Sequence, residues 1–221
     1  DGASATDGLY VHYPAEEHYA VLSILSHRHR AEIVGENLGT VPRAVNRALK
    51  RHAVLGMDIA QFSLGAEPPA GPLPRPEPDT LAALNTHDMA PFPAFWTGDD
   101  LDLYERLALK PPETIRAERL ERPIVRRRLV RALADAGLLD PEDVPDPAAA
   151  QTPADALPVL RAVLRHLASS RAARLLVSLE DLLAETAPQN VPGVSPDAYP
   201  SWRRRAPRTI DAITADPDLR R

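Results

Sequence analysis

Short apolar runs alternate with helical stripes along this chain, and nearly every run stops at polar residues. Residues 15–30 place Tyr19, Leu22, Ile24 and Leu25 near one helical face, with Glu16 and Glu17 early and Arg28 and Arg30 late. That charge order suits the helix dipole and predicts a helix. Ala31 to Val34 is short, apolar and closed by Gly35, which predicts a buried strand feeding a loop. Thr40-Val41-Pro42 predicts a helix start with Pro in the first turn, running to about His52. Residues 57–64 and 80–88 predict two further strands, and residues 174–183 carry a fourth. Helices are expected over 99–137, broken at Pro111-Pro112, bent at Pro123 and closed by Gly137, and again over 154–168. After residue 188 the chain reads as loop.

Buried strands alternating with helices indicate a parallel sheet. Polar residues capable of chemistry stand at the strand ends: Glu36-Asn37, Gln61, His87-Asp88 and Glu180-Asp181. A β/α barrel builds its active site at that mouth, from the loops that follow its strands. Four strand–helix units make half of such a barrel, and a free half leaves two parallel edges unpaired. The expected natural protein is therefore longer than these residues, and the N-terminus DGASATDGLY reads as a start inside a loop.

Composition narrows the picture. The 221 residues are 44 % apolar and 26 % charged, enough for a real core. A net charge of -5 gives no reason to expect nucleic acid or an acidic membrane as partner. No apolar run approaches the ~20 residues of a membrane span, and no signal peptide is recognisable. The absence of cysteine excludes disulfides, thiolate metal sites and a Cys nucleophile, and accords with a reducing cytoplasm. The 24 prolines cluster between the patterned segments, as loops of a folded protein.

Glu36 and Asp88 are the candidate chemistry. Carboxylates at strand ends of one barrel mouth can break glycosidic bonds, one donating a proton and another steadying an oxocarbenium-like centre. A strand-end carboxylate is more often a cap or an ion-pair partner. His12, His18, His27 and His29 lack the convergent spacing of a metal site. Arg126-Arg127-Arg128 reads as a solvated helix face, and Arg203-Arg204-Arg205 as a tail over the barrel floor. Phe92, Phe95 and Trp96 form either a sugar-stacking platform or core. Asn190 either contacts sugar or caps a turn.

A resemblance bears on the reading of Glu36 and Asp88. VGENLGTVP resembles the acid/base segment of the amylomaltases, the 4-α-glucanotransferases of the α-amylase clan, usually a Glu-Asp-Leu-Gly stretch followed by Val-Pro. LNTHDM resembles the Thr-His-Asp segment of the clan's seventh strand. GLYVHYP with its EEH helix is similar to the stretch after the fourth strand, and MDIAQF to the sixth. LEDLLAETAPQNVPG with YPSWRRR is similar to the eighth strand and tail. These motifs run in order over about residues 8 to 205.

The resemblance implies the C-terminal half, about strands 5–8, of a (β/α)8 TIM barrel with helical insertions. Residues 1–221 would form that half of a single catalytic domain, with the N-terminal half as its missing partner. It implies Glu36 as general acid/base and Asp88 as the carboxylate that holds sugar hydroxyls and stabilises the transition state. It implies His87 as a sugar-contacting histidine, and Asn37 and Asn190 are taken beside it as candidate substrate contacts, Asn190 still open to capping a turn. No residue here matches the clan's nucleophilic Asp, and neither Asp1 nor Asp7 is promoted to it. The reaction implied is retaining transfer of α-1,4-glucan segments between maltooligosaccharides, without metal or organic cofactor; hydrolysis of α-glucans and an inactive carbohydrate-binding half-chain are the alternatives. The sequence departs from the family at Asn37 for Asp, at Gly65-Ala66-Glu67 after strand six, and at Val194 and Ser201 for Thr and Asn.

Overall fold

The computed structural model describes residues 7–9, 11–64, 73, 75–217 and 219. Asp1, Tyr10 of the GLYVHYP segment and the Gly65-Ala66-Glu67 departure lie outside the described residues. The chain divides into two units, Asp1–Gly56 and Met57–Arg221.

In the first unit, α1 (Ala15–His29) and α2 (Arg43–Arg51) form as the pattern predicts. Pro42 stands just before α2 as its cap residue rather than inside its first turn. Glu16 and Glu17 open α1, and His27, Arg28 and His29 close it, each favoured by the helix dipole. Arg51 pairs with Glu16, and the Tyr19 and His52 rings stack with centroids 4.5 Å apart. The strand expected at 31–34 is a correction. It contracts to one parallel bridge between Val34 and Leu55, with Ile33 half-buried and Val34 exposed.

From the boundary onward, β1 (Gly56–Ile59), β2 (Thr80–Ala83) and β3 (Arg174–Leu176) form a three-stranded sheet in that order. β2 and β3 run parallel, with Ala82 opposite Leu175. All three strands are shorter than expected. β1 turns at Ala60 into a single 3₁₀ turn, although the Gln61 N–H still donates to the Leu84 carbonyl at 2.8 Å. Residues Leu179–Leu182 are a short helix, α7, rather than strand. Leu179, Leu182 and Leu183 recur at helical spacing, which the expectation passed over.

The helices lie as α3 (Phe92–Thr97), α4 (Asp99–Arg106), α5 (Pro112–Asp135), α6 (Ala156–Ala168) and α8 (Ile210–Thr214). The Pro111-Pro112 break is real: Pro112 opens α5, where a missing N–H costs nothing. Pro123 is carried inside α5 as one helix. Gly137 takes φ +67 beyond its end, the left-handed conformation expected of a helix stop. α3 was not expected. It starts at Pro91 and ends at Gly98, whose φ of +101 lets α4 begin at once.

Leu84, Leu129, Leu133, Val159 and Leu160 form the centre of the core, with Phe92 and Trp96 at 0 % exposure. This settles the aromatic triplet against a sugar platform: Phe92 and Trp96 are core. Arg126 corrects the solvated-face reading, since it is buried and donates to the Trp96 carbonyl at 2.6 Å. Among the described residues, no helix is long and apolar enough to cross a membrane.

Candidate active site

Glu36 follows the Val34 bridge in the first unit. The Gly35 N–H donates to the Leu55 carbonyl at 2.8 Å, and the Asn37 N–H to the Gly35 carbonyl at 3.0 Å. A Cβ on Gly35 would meet Leu49 Cδ2 at 2.8 Å, so this backbone lies against α2 because it has no side chain. Asn37 Nδ2 donates to Asn46 Oδ1 at 2.9 Å, tying the loop to the same helix. Glu36 projects from this short tethered segment as an exposed carboxylate. The asparagine that replaces the family's usual Asp thus serves here as a tether.

The second unit brings together three of the expected residues. Asn190 Nδ2 donates to Asp88 Oδ1 at 2.6 Å, across 102 positions of sequence. His87 Nε2 lies 3.4 Å from the same oxygen. The Asp88 N–H is turned inward to Thr86 Oγ1 at 3.3 Å. The Asp88 side chain is 39 % exposed, and a carboxylate has acceptor capacity beyond the bond from Asn190. Asn190, read from the sequence as a sugar contact or a turn cap, gives its side-chain amide to Asp88.

The loop carrying Asn190 is closed by its own bonds. Tyr199 Oη donates to the Pro188 carbonyl at 2.6 Å, and the Trp202 N–H to the Gln189 carbonyl at 2.9 Å. Ser201 Oγ accepts from the Val191 N–H at 3.2 Å, so this departure from the family keeps a structural task. Val194 packs partly buried against a small cluster of Leu103, Val191 and Tyr199. Arg204 pairs with Glu185 at 2.7 Å. Trp202 is exposed, holds φ +62, and sets its ring 5.1 Å from that of His87.

Beneath this cluster lies a carboxylate that the sequence reading placed at a strand end without a role. Asp181 is 1 % exposed. It accepts from the Phe92 N–H at 2.6 Å and from Asn85 Nδ2 at 2.9 and 3.1 Å. Gln61 Oε1 is 3.3 Å from the same Asn85 amide, and Gln61 Nε2 donates to the Ala90 carbonyl at 3.1 Å. Burial pushes the Asp181 carboxyl up to about 6, and the neighbouring Glu180 charge adds to this, against the lowering effect of Phe92 and Asn85. Glu180 goes the other way. Burial opposes it, but its own backbone N–H, Gln189, Ser178 and Arg204 hold its carboxyl below the ordinary value.

The raised value for Asp181 has a sign. The fold prefers the protonated acid, so this contribution is fully present below about pH 3.8 and lost as pH rises through about 6. A shift from 3.8 to about 6 corresponds to about 3 kcal/mol. Urea unfolding of the protein and of its Asp181→Asn variant is expected to show the difference: wild type gains up to about 3 kcal/mol relative to the variant between pH 7 and pH 4. A difference that stays constant with pH would contradict the shift.

Comparison with known proteins places these residues in a context. Residues 1–210 match the family described as Glyco_hydro_77, 4-alpha-glucanotransferase. The chain is 30 % identical over 221 residues to a 4-alpha-glucanotransferase of Haemophilus influenzae, covering 99 % of this chain and 31 % of that protein. It is 33 % identical over 212 residues to one of Mycobacterium tuberculosis, covering 92 % of this chain and 27 % of that protein. The chain thus spans about 30 % of the length of the curated relatives it matches. Among solved structures, amylomaltase from Corynebacterium glutamicum aligns at a TM-score of 0.72 and 25 % identity, over 87 % of this chain and 27 % of that one. Amylomaltase from Streptococcus agalactiae in complex with acarbose aligns at 0.59 and 19 % identity, over 96 % of this chain and 34 % of that one, a likeness of fold.

Proposed function

This chain belongs to the 4-alpha-glucanotransferase family, and on that premise we propose that it works as part of an enzyme moving α-1,4-glucan segments between maltooligosaccharides. The observation that carries the reading is the His87–Asp88–Asn190 cluster. It joins two motifs, LNTHDM and PQNVPG, that the resemblance had linked only by order along the chain. An exposed carboxylate held by one amide donor, with a histidine beside it, is built to take sugar hydroxyls and to face positive charge developing at an anomeric carbon.

In this reading the reaction is a retaining double displacement. Glu36 protonates the departing glycosidic oxygen and later deprotonates the 4-hydroxyl of the incoming glucan. Asp88 steadies the oxocarbenium-like transition state and releases that contact as the covalent glucosyl intermediate forms. His87 and Asn190 fix the Asp88 oxygen that is not offered to sugar. We assign the nucleophilic carboxylate to a part of the protein beyond these 221 residues, since none of them matches it. The same reading makes Val34, β1, β2 and β3 the positions of barrel strands 5 to 8. It goes with a cytoplasmic location, supported by the absence of cysteine from the sequence.

The test is product analysis. The full-length protein incubated with maltotriose is expected to yield glucose together with maltopentaose and longer chains. Glucose and maltose without longer chains would mean that water is the acceptor. The isolated 221-residue polypeptide is expected to leave maltotriose unchanged. Turnover by that polypeptide would show that it holds a nucleophile after all.

A further inference from the structure

The segment from Thr86 to Pro91 carries His87 and Asp88, and both of its ends are fastened to one side chain. Asn85, immediately before it and two residues beyond β2, donates its side-chain amide to both Asp181 oxygens, at 2.9 and 3.1 Å. Phe92, immediately after it at the start of α3, donates its backbone N–H to Asp181 Oδ1 at 2.6 Å. We propose that Asp181 is a positioning residue for Asp88: it clamps both ends of the 86–91 segment and so sets where the Asp88 carboxylate meets the substrate.

Three observations favour a clamp over a carboxylate that merely fills space. Asp181 is 1 % exposed and lies 89 to 96 positions from the groups it holds, so its bonds tie α7 to both ends of this segment. Both groups it accepts from are N–H donors, and an aliphatic side chain of similar volume would satisfy neither. Gln61 adds a third hold, from Nε2 to the Ala90 carbonyl at 3.1 Å, and shares the Asn85 amide with Asp181. Asp88 is thereby located from two sides, by the clamped segment beneath it and by Asn190 from the loop opposite. Asp181 lies below the segment and is 1 % exposed, out of reach of a ligand at the surface. Its influence passes through Asp88.

This inference rests on the glucanotransferase reading for its catalytic consequence, but not for its structural one. The decisive variant is Asp181→Asn in the full-length protein, which keeps the volume and one carbonyl acceptor. Maltotriose disproportionation is expected to lose about 10- to 100-fold in kcat, because a small displacement of a transition-state group is costly. KM is expected to stay within about threefold, since ground-state sugar contacts are kept. Asp181→Ala, where it folds, is expected to lose more, because no acceptor remains.

Amide hydrogen exchange separates this role from a general loss of stability. Exchange is expected to rise in residues 86–92 of the Asn variant while the strands β2 and β3 keep their protection. A kcat within about twofold of wild type overturns the proposal, as does exchange that rises equally across the sheet. Should wild-type protein make no longer maltooligosaccharides, the enzymatic reading fails. The exchange measurement then still decides whether Asp181 holds the 86–91 segment.

Discussion

Asp88→Asn is expected to lower the rate of glucan transfer by the full-length protein about 100- to 1,000-fold. That is the scale on which removing one preorganised electrostatic partner of a developing charge acts. Stability is expected to change little, because the Asp88 side chain is 39 % exposed and an asparagine carbonyl can still accept from Asn190. The substitution therefore removes charge and leaves shape. Initial rates on maltotriose, taken with thermal melts of both proteins, check the two halves of this expectation together. A fall in rate matched by a fall in melting temperature would point to a structural duty for Asp88. An unchanged rate would remove Asp88 from the chemistry.

The largest expected effect on stability lies away from the chemistry, in the packing that carries α3. Asp100 and Arg122 are 6 % and 8 % exposed and pair through two bonds of 2.9 Å each. Arg122 also donates to the Phe95 carbonyl and lies over the Phe95 ring at 4.1 Å from its centroid. Asp100→Ala strands the guanidinium without its anion in a place water reaches poorly. The expected cost is about 3 to 5 kcal/mol in urea unfolding. Replacing both partners, as Asp100→Leu with Arg122→Met, is expected to recover most of that loss, because no buried charge is then left unpaired. A double variant as unstable as the single one would show that the pair contributes through its own attraction and not through the avoidance of a buried charge.

Much of this was legible in the sequence because it rests on local rules. Helices α1, α2, α5 and α6 follow from periodicity, charge order and proline placement, which need no knowledge of distant residues. Glu36 and Asp88 stood out because each follows an apolar run, and because the motifs around them occur in family order.

What remained hidden depends on the third dimension. The bond from Asn190 to Asp88 spans 102 positions, and nothing in PQNVPG distinguishes a side chain that grips a carboxylate from one that caps a turn. Asp181 sits in LEDLL, where it reads as one of two polar residues closing an apolar strand. Its burial becomes visible only when Asn85 and Phe92 converge on it. α3 was masked by Pro91 and Pro93, which permit a first helical turn as readily as a loop. Arg126 was read as part of a solvated face because Val125, Leu129 and Val130 supply the apolar side of the helix, whereas the Trp96 carbonyl decides its place. The strands were read too long because an apolar run records burial, not the ladder of hydrogen bonds. The run at 57–64 continues past Ile59, while the backbone turns.

The account stands on a division of labour, with Glu36 as proton donor and Asp88 as partner of the transition state. A substrate whose leaving group needs no proton tells the two apart. The measurement is the pre-steady-state rate at which the glycosyl-enzyme forms, read as the burst of leaving group, on α-maltosyl fluoride beside that on maltotriose, for Glu36→Gln and Asp88→Asn in the full-length protein. Glu36→Gln is expected to lose about 100- to 10,000-fold on maltotriose and little on the fluoride. Asp88→Asn is expected to lose comparably on both. Equal loss on both substrates for Glu36→Gln would contradict its assignment as the acid.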